Sequence, residues 1–350
     1  VYNLYPVVDA IAHEYEFGEG EHMASERSPL NWFYYQVGMH SFRAFAQGKA
    51  TWILNYSWDG DKVVDKREAM KNLAMSQLMD GANFWDAPGH SMAGSNDPAT
   101  RKTIFSWIKQ NEKIFYLPRT PINPIGVYFS PQTRNYYADD FLRSYRGILI
   151  LLMQSHREFQ VVTPRTLHNF SGEALVLPDV RILSADEQQS VENYVAQGRK
   201  LIITGNDPLK SGNQPNIARF PECPGKAYIA SLESDFDHST PQMQQAFLDS
   251  LPVNSSLEIS ASHKVATSIA RVNGQTHVFL ANFAGLVAGK NPIQTPQMVT
   301  ITVPARDGAA AYFLPFLGDA QKIDGIPNQR SVVFTLPPIS KGAVFWLEGD

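Results

Sequence analysis

Cysteine is nearly absent: Cys223 is the one thiol in 350 residues. An intrachain disulfide and a cysteine-rich metal site are therefore excluded. The compartment stays open, because many secreted enzymes lack disulfides; a secreted or periplasmic setting is favoured over a cytoplasmic one. Long apolar runs are missing too. The stretch 147–153 falls far short of the ~20 residues that cross a bilayer, so no membrane span is expected. An excess of either charge is also lacking. The 30 Lys and Arg against 34 Asp and Glu leave a net charge of -4, and the basic residues are scattered. Nucleic acid and anionic membrane are thereby excluded as main partners. The first residue is Val1, not an initiator Met, and no signal peptide precedes it, so the sequence reads as processed or cut. What is present is ordinary for a globular protein: 43% hydrophobic and 18% charged residues, over a length that suits two or three domains.

One stretch stands out. Residues 9–21, DAIAHEYEFGEGE, continue an apolar run with Val7, Val8, Ile11 and Ala12, then turn acidic with Glu14, Glu16, Glu19, Glu21 and two glycines. A buried strand that ends in carboxylates and a flexible loop is how a β/α barrel presents chemistry at its C-terminal mouth. Side chains alternate along a strand, so Glu14 and Glu16 share one side while His13 and Tyr15 share the other. The competing reading is a solvated acidic loop, the commoner fate of such glutamates.

Strand-then-helix units continue to residue 120. The spacing predicts helices over 31–47, 66–79 and 97–114, the last opened by Asp97-Pro98, with buried strands at 50–58 and 82–87. Three such units make a parallel sheet with outer helices, and a complete barrel needs about 250 residues. The expectation for 1–120 is therefore the C-terminal part of a (β/α)8 barrel.

Pro118, Pro121 and Pro124 end the preceding helix and read as a linker. A doubly wound domain follows over 121–255, with strands at 125–129, 159–163, 174–177 and 200–204, a helix over 138–156, and another opened by the Ser184–Glu187 capping box. From 256 to 350 short strands alternate with Gly, Pro and Asn, and Asn273-Gly274 marks a hairpin. That pattern predicts a small β-sandwich.

The order of parts, with IGVYFS at 125–130 and ALVLPDVRILSADEQQSVENYVAQGRKLIITG at 174–205, resembles the family 42 β-galactosidases and their relatives among barrel glycoside hydrolases. The resemblance implies an amidotransferase-like, trimerisation-type middle domain, hence a homo-oligomer, and the helix faces around Tyr145 and Tyr194 are the expected contact. It also implies a Glu nucleophile near the end of a late barrel strand, followed by an Asn-Trp pair. Glu14 or Glu16 precedes Asn31-Trp32 here, at a longer distance. The family's last strand carries an aromatic, Trp and Arg pattern, whereas this chain has Asn55-Tyr56-Ser57-Trp58 and Phe84-Trp85-Asp86. Which carboxylate is the nucleophile stays open.

Glycosidic bonds are usually cleaved by two carboxylates that flank the bond from different sides. Glu14 and Glu16, neighbours on one strand, do not make that pair alone. Asp59 is another candidate, and Asp86, after Phe84-Trp85, is the better complement; its alternative role is a cap near Gly89. Trp58, Trp85 and Tyr56 would offer aromatic faces to sugar C–H groups, with core packing as the competing role. Asn55 and His90 are candidate substrate hydrogen-bonders. His13, His22 and His90 match no metal-ligand spacing, so neither metal nor cofactor is expected. Two other readings remain. One is a non-catalytic carbohydrate-binding or assembly protein. The other is a glutamine amidotransferase-like hydrolase, which needs its cysteine on a strand-to-helix elbow beside a histidine; Cys223, between Pro221 and Pro224, reads as a loop residue.

Overall fold

The computed structural model describes residues 8–13, 28–47, 49–54, 65–84, 97–122, 124–209, 214–253, 256–304 and 310–348. The fold is mixed α/β, with parallel and antiparallel sheets. It forms two compact units, Val1–Ile122 with Ser256–Asp350, and Asn123–Ser255.

In the first unit β1 (Val8–His13) and β2 (Ala50–Leu54) pair in parallel, with His13 opposite Leu54. Between them runs α1 (Pro29–Ala46). Ser28 starts it by accepting from the Asn31 amide, and Pro29 brings a preset φ to its first position. α2 (Lys66–Asp80) starts on Asp65, whose carboxylate accepts from the Arg67 and Glu68 amides, and ends at Gly81 with φ 86°. That left-handed turn sends the chain back along β2, where the Asn83 amide donates to Thr51 O at 3.0 Å.

The two helices are more polar inside than periodicity alone suggests. Gln36, His40 and Ser41 are buried along with Trp32, Phe33 and Val37. The polar groups are matched across the helix pair. Gln36 Nε2 donates to Ser76 Oγ at 2.6 Å, Gln77 Nε2 donates to Tyr35 OH at 2.7 Å, and His40 Nε2 lies 2.7 Å from the Asp80 carboxylate. Two guanidiniums close the end of α2: Arg43 donates to Asp80 O, and Arg119 donates to Leu78 O and Met79 O. They meet the partial negative charge of the helix C-terminus. Burial lowers the pKa of both, and for Arg119 the charge of Arg43 adds to it. The helix expected over 97–114 begins on Asp97-Pro98 as read, but breaks at Asn111 into α3 (Pro98–Gln110) and α4 (Glu112–Phe115). β3 (Arg119–Thr120) follows.

The second unit contains β4 (Ile125–Tyr128), α5 (Pro131–Tyr136), α6 (Ala138–Gln154), β5 (Phe159–Val162), α7 (Pro164–Leu167), β6 (Ala174–Pro178), α8 (Ala185–Ala196), β7 (Lys200–Thr204), β8 (Ile217–Phe220), α9 (Pro224–Ser234) and α10 (Gln245–Asp249). Its five strands among the described residues are all parallel, in the order β5-β4-β6-β7-β8. β4 and β6 are buried at every position, as strands covered on both faces must be. The Ser184–Glu187 capping box opens α8 as read. Tyr145 and Tyr194 do not form an exposed contact face. Tyr145 is fully buried and stacks on Phe141 at 5.7 Å, and Tyr194 is buried, stacks on Phe170 and donates to Gly172 O at 2.9 Å. The helix faces around them read as an exposed contact in the sequence, but their rings complete the core.

The remaining strands are β9 (Glu258–Ala261), β10 (Val265–Val272), β11 (Gln275–Asn282), β12 (Val299–Pro304), β13 (Ala310–Pro315), β14 (Gln321–Ile323), β15 (Ile326–Asn328), β16 (Ser331–Thr335) and β17 (Gly342–Glu348). They form two antiparallel sheets, β14-β13-β17-β11-β10-β3 and β15-β16-β12-β9. Val278, Leu280, Phe313 and Phe345 of the first share one apolar core with Ile259, Ile301, Val303 and Phe334 of the second. Asn273 and Gly274, at φ 50° and 80°, make the expected hairpin. The proline-flanked β3, read as linker, is an edge strand on β10. Next to the sheets, Lys341 Nζ bonds Asn72 Oδ1 at 2.7 Å and pairs with Glu68 at 2.6 Å, which ties α2 to them.

His277 lies on the face of the larger sheet away from that core, stacked between Phe279 and Trp346. Its Nδ1 donates to Gln275 O at 2.9 Å, which fixes the orientation of the ring. Burial first, opposed by that bond and helped by the Arg119 charge, pushes its pKa down to about 4. A histidine with a depressed folded pKa gives stability that is complete above its unfolded value of about 6.5. That stability is lost as pH falls through 4. A loss of about 3 kcal/mol is expected over that window. Thermal melts as a function of pH should show this slope in the parent and a shallower one in His277→Phe; equal slopes would contradict it.

Candidate active site

Two parallel strands and one bonded segment fix the frame of the candidate site. β1 ends at His13 and β2 at Leu54, side by side in register. Segment 82–84 is held to β2 by the Asn83–Thr51 bond. Phe84, buried, packs on the Phe105 ring at 5.1 Å, and its backbone bonds the Tyr116 hydroxyl. Burial nonetheless raises the Tyr116 phenol, the bond from Phe84 pulling the other way. In sequence, Glu14 and Glu16 come directly after β1, Asn55, Tyr56 and Trp58 after β2, and Trp85, Asp86 and His90 after Phe84. These eight residues, with Asp59 and His22, lie outside the described residues. Among the described residues, no cluster of three or more His, Cys, Asp and Glu is placed to hold a metal ion. None of the described helices is long and apolar enough to cross a membrane.

The second unit has its own site geometry, at the C-terminal edge of its sheet. An order in which β4 sits between β5 and β6 puts a reversal of strand order there, the place where open α/β sheets hold ligands. In this chain the two flanking loops are bonded to each other. Ser130 Oγ donates to Ile182 O at 3.1 Å, and Thr133 Oγ1 accepts from the Arg181 and Ile182 amides at 3.2 and 3.1 Å. One strand pair further on, the buried Asp179 carboxylate accepts from Asn206 Nδ2 and Lys226 Nζ, each at 2.6 Å.

Cys223 corrects the loop reading. It sits at a strand-to-helix junction, between β8 and α9, at φ 47°. The prolines on either side obscured this in the sequence, because Pro224 reads as a chain break yet is also a favoured first residue of a helix. A Cβ on Gly205 would lie 2.4 Å from its Sγ, so this junction requires glycine opposite. Burial, then Asp179, raises the thiol pKa against the opposing charges of Lys226 and Arg181. A thiol so placed is a poor nucleophile. Cys223 in the folded protein should react with a disulfide reagent at least about tenfold more slowly than in urea; equal rates would contradict this.

The grouping of Arg43, Arg119, His40 and Asp80 at the end of α2 has no signal in the sequence. Arg119 contacts carbonyls 40 and 41 residues away, and no local pattern signals that.

No family model and no curated protein matches the chain. Solved structures do match. An α-L-fucosidase, isoenzyme 2 from Paenibacillus thiaminolyticus, is similar over 98% of this chain and 65% of its own, with 10% identity and TM-score 0.66. Gan42B, a GH42 β-galactosidase of G. stearothermophilus, matches over 97% of this chain and 59% of its own, with 8% identity and TM-score 0.55. A rhamnosidase from Novosphingobium sp. PP1Y matches over 96% and 34%, with 10% identity and TM-score 0.53. The fold is glycosidase-like. At identities this low the likeness speaks for the fold alone, and the chain spans less than two thirds of the length of each of these proteins.

Proposed function

We propose that this chain is part of a glycoside hydrolase that acts on a carbohydrate through carboxylates at the C-terminal ends of parallel strands. In this reading residues 1–120 are the C-terminal part of a (β/α)8 barrel, 121–255 an amidotransferase-like domain of the trimerisation type, and 256–350 a β-sandwich. Glu14 or Glu16 supplies one carboxylate and Asp86 the other. Trp58, Trp85 and Tyr56 stack on the sugar, and Asn55 and His90 hydrogen-bond it. A homo-oligomer accords with the middle domain, through a surface other than Tyr145 and Tyr194. The observation that carries this reading is the side-by-side placement of β1, β2 and segment 82–84, each directly preceding these residues in sequence.

The chemistry follows from position. Parallel strands bring their C-terminal ends to one face, so carboxylates from different strands can approach one bond from different sides. The amidotransferase reading finds less support, since the thiol is buried with its pKa raised. The test is release of the aryl group from a panel of aryl α- and β-glycosides by the protein. Turnover of at least one member is expected. Binding of sugars without turnover of any would favour a carbohydrate-binding protein instead.

A further inference from the structure

At the edge of the parallel sheet, the end of β8 and the first turn of α9 face the short helical run Pro241–Gln244 and α10 across a cleft of about 480 Å³. Small-ligand pockets typically run from about 300 to 1,000 Å³. The apolar part of this cleft includes Phe220 and Met243, and Met243 is 56% exposed. Phe220 is fixed by an edge-on contact with the buried Phe247, their ring centroids 5.6 Å apart. The rim carries Arg219, Glu222, Gln244 and Gln245. Two of these are already oriented: Arg219 Nε donates to Asp207 at 2.9 Å, and Gln245 Nε2 donates to Asp249 at 2.7 Å, which leaves the Gln245 carbonyl as an acceptor.

Chemistry narrows the occupant. On the rim Arg219 offers donors, Glu222 and the Gln245 carbonyl offer acceptors, and Gln244 offers both. A plain hydrocarbon would cover the apolar floor and strip water from these groups without replacing their bonds, which is costly for each one left unsatisfied. An anion meets Glu222, and a cation meets Arg219. A neutral polyhydroxylated ring offers donors and acceptors around its perimeter and C–H faces to Phe220 and Met243. We propose that this cleft is a saccharide-binding site, separate from the strand-end carboxylates. It stands on the cleft alone and does not depend on turnover.

The test is NMR of the protein carrying ¹³C-methyl methionine, with the Met243 signal assigned through Met243→Leu. The probes are galactose, L-fucose, L-rhamnose and lactose, set against leucine, benzoate and inorganic phosphate. At least one saccharide should shift the Met243 methyl saturably. The double variant Glu222→Gln, Gln244→Ala should weaken that binding about tenfold or more, two lost hydrogen bonds being sufficient. Both residues lie on the rim, and the unliganded spectrum reports whether the variant is folded; Glu222→Gln alone serves if it is not. No shift with any saccharide, a shift with leucine, benzoate or phosphate only, or unchanged affinity in the folded variant overturns the proposal.

Discussion

Gly147→Ala is expected to destabilise the Asn123–Ser255 unit by about 3 kcal/mol or more, although alanine is the better helix former by about 1 kcal/mol. α6 and α9 cross at two glycines. A Cβ on Gly147 would lie 1.9 Å from Gly225 O and 2.5 Å from Gly225 C, and one on Gly225 would lie 2.2 Å from Ser144 O. These are backbone atoms, so no side chain can rotate away, and one helix must move off the other. Ile148, Leu149 and Leu152 of α6 and Ile229 and Leu232 of α9 are buried, so separation opens core. Gly198 provides the control. It has φ 78° with nothing within 4 Å of an added Cβ, so alanine there costs only the left-handed strain of about 1–2 kcal/mol. Urea unfolding followed by circular dichroism should rank Gly147→Ala well below Gly198→Ala. The reverse order would mean that the helices do not cross as described.

Local signals in the sequence were reliable where they were complete in themselves. Ser184 with Glu187, Asp97 with Pro98, and Asn273 with Gly274 each satisfy their own backbone groups within a few residues, and each appears where read. Features that depend on distant partners were not legible. Arg119 was part of a presumed linker, but its guanidinium closes α2 and lies 3.5 Å over the Phe279 ring. The helix faces around Tyr145 and Tyr194 read as an exposed contact, yet the burial of both rings is set by Phe141 and Phe170. Cys223 adopts a backbone that its neighbouring prolines do not announce. Of the candidate site, the parallel pairing of the strands at 8–13 and 50–54 was readable because short apolar runs alternate with helical patterns, while the ends read at residues 16, 58 and 87 lie outside the described residues and 82–84 form no strand. The roles of the residues that follow those ends rest on chemistry.

The central claim is that carboxylates next to β1 and segment 82–84 perform glycoside cleavage. Glutamine has almost the shape of glutamate and asparagine that of aspartate, so these substitutions remove the charge and the proton while leaving packing nearly unchanged. An acid or base contributes about 10²–10⁴ to the rate, and a lost nucleophile costs a covalent route besides. The decisive measurement is kcat on an aryl glycoside that the parent turns over, for Glu14→Gln, Glu16→Gln and Asp86→Asn separately, alongside the melting temperature of each. The account predicts that one of the two glutamate variants and the aspartate variant each lose about 10² or more in kcat with the melting temperature unchanged. Full parental rate in all three would contradict it and return the acidic stretch after His13 to a solvated loop.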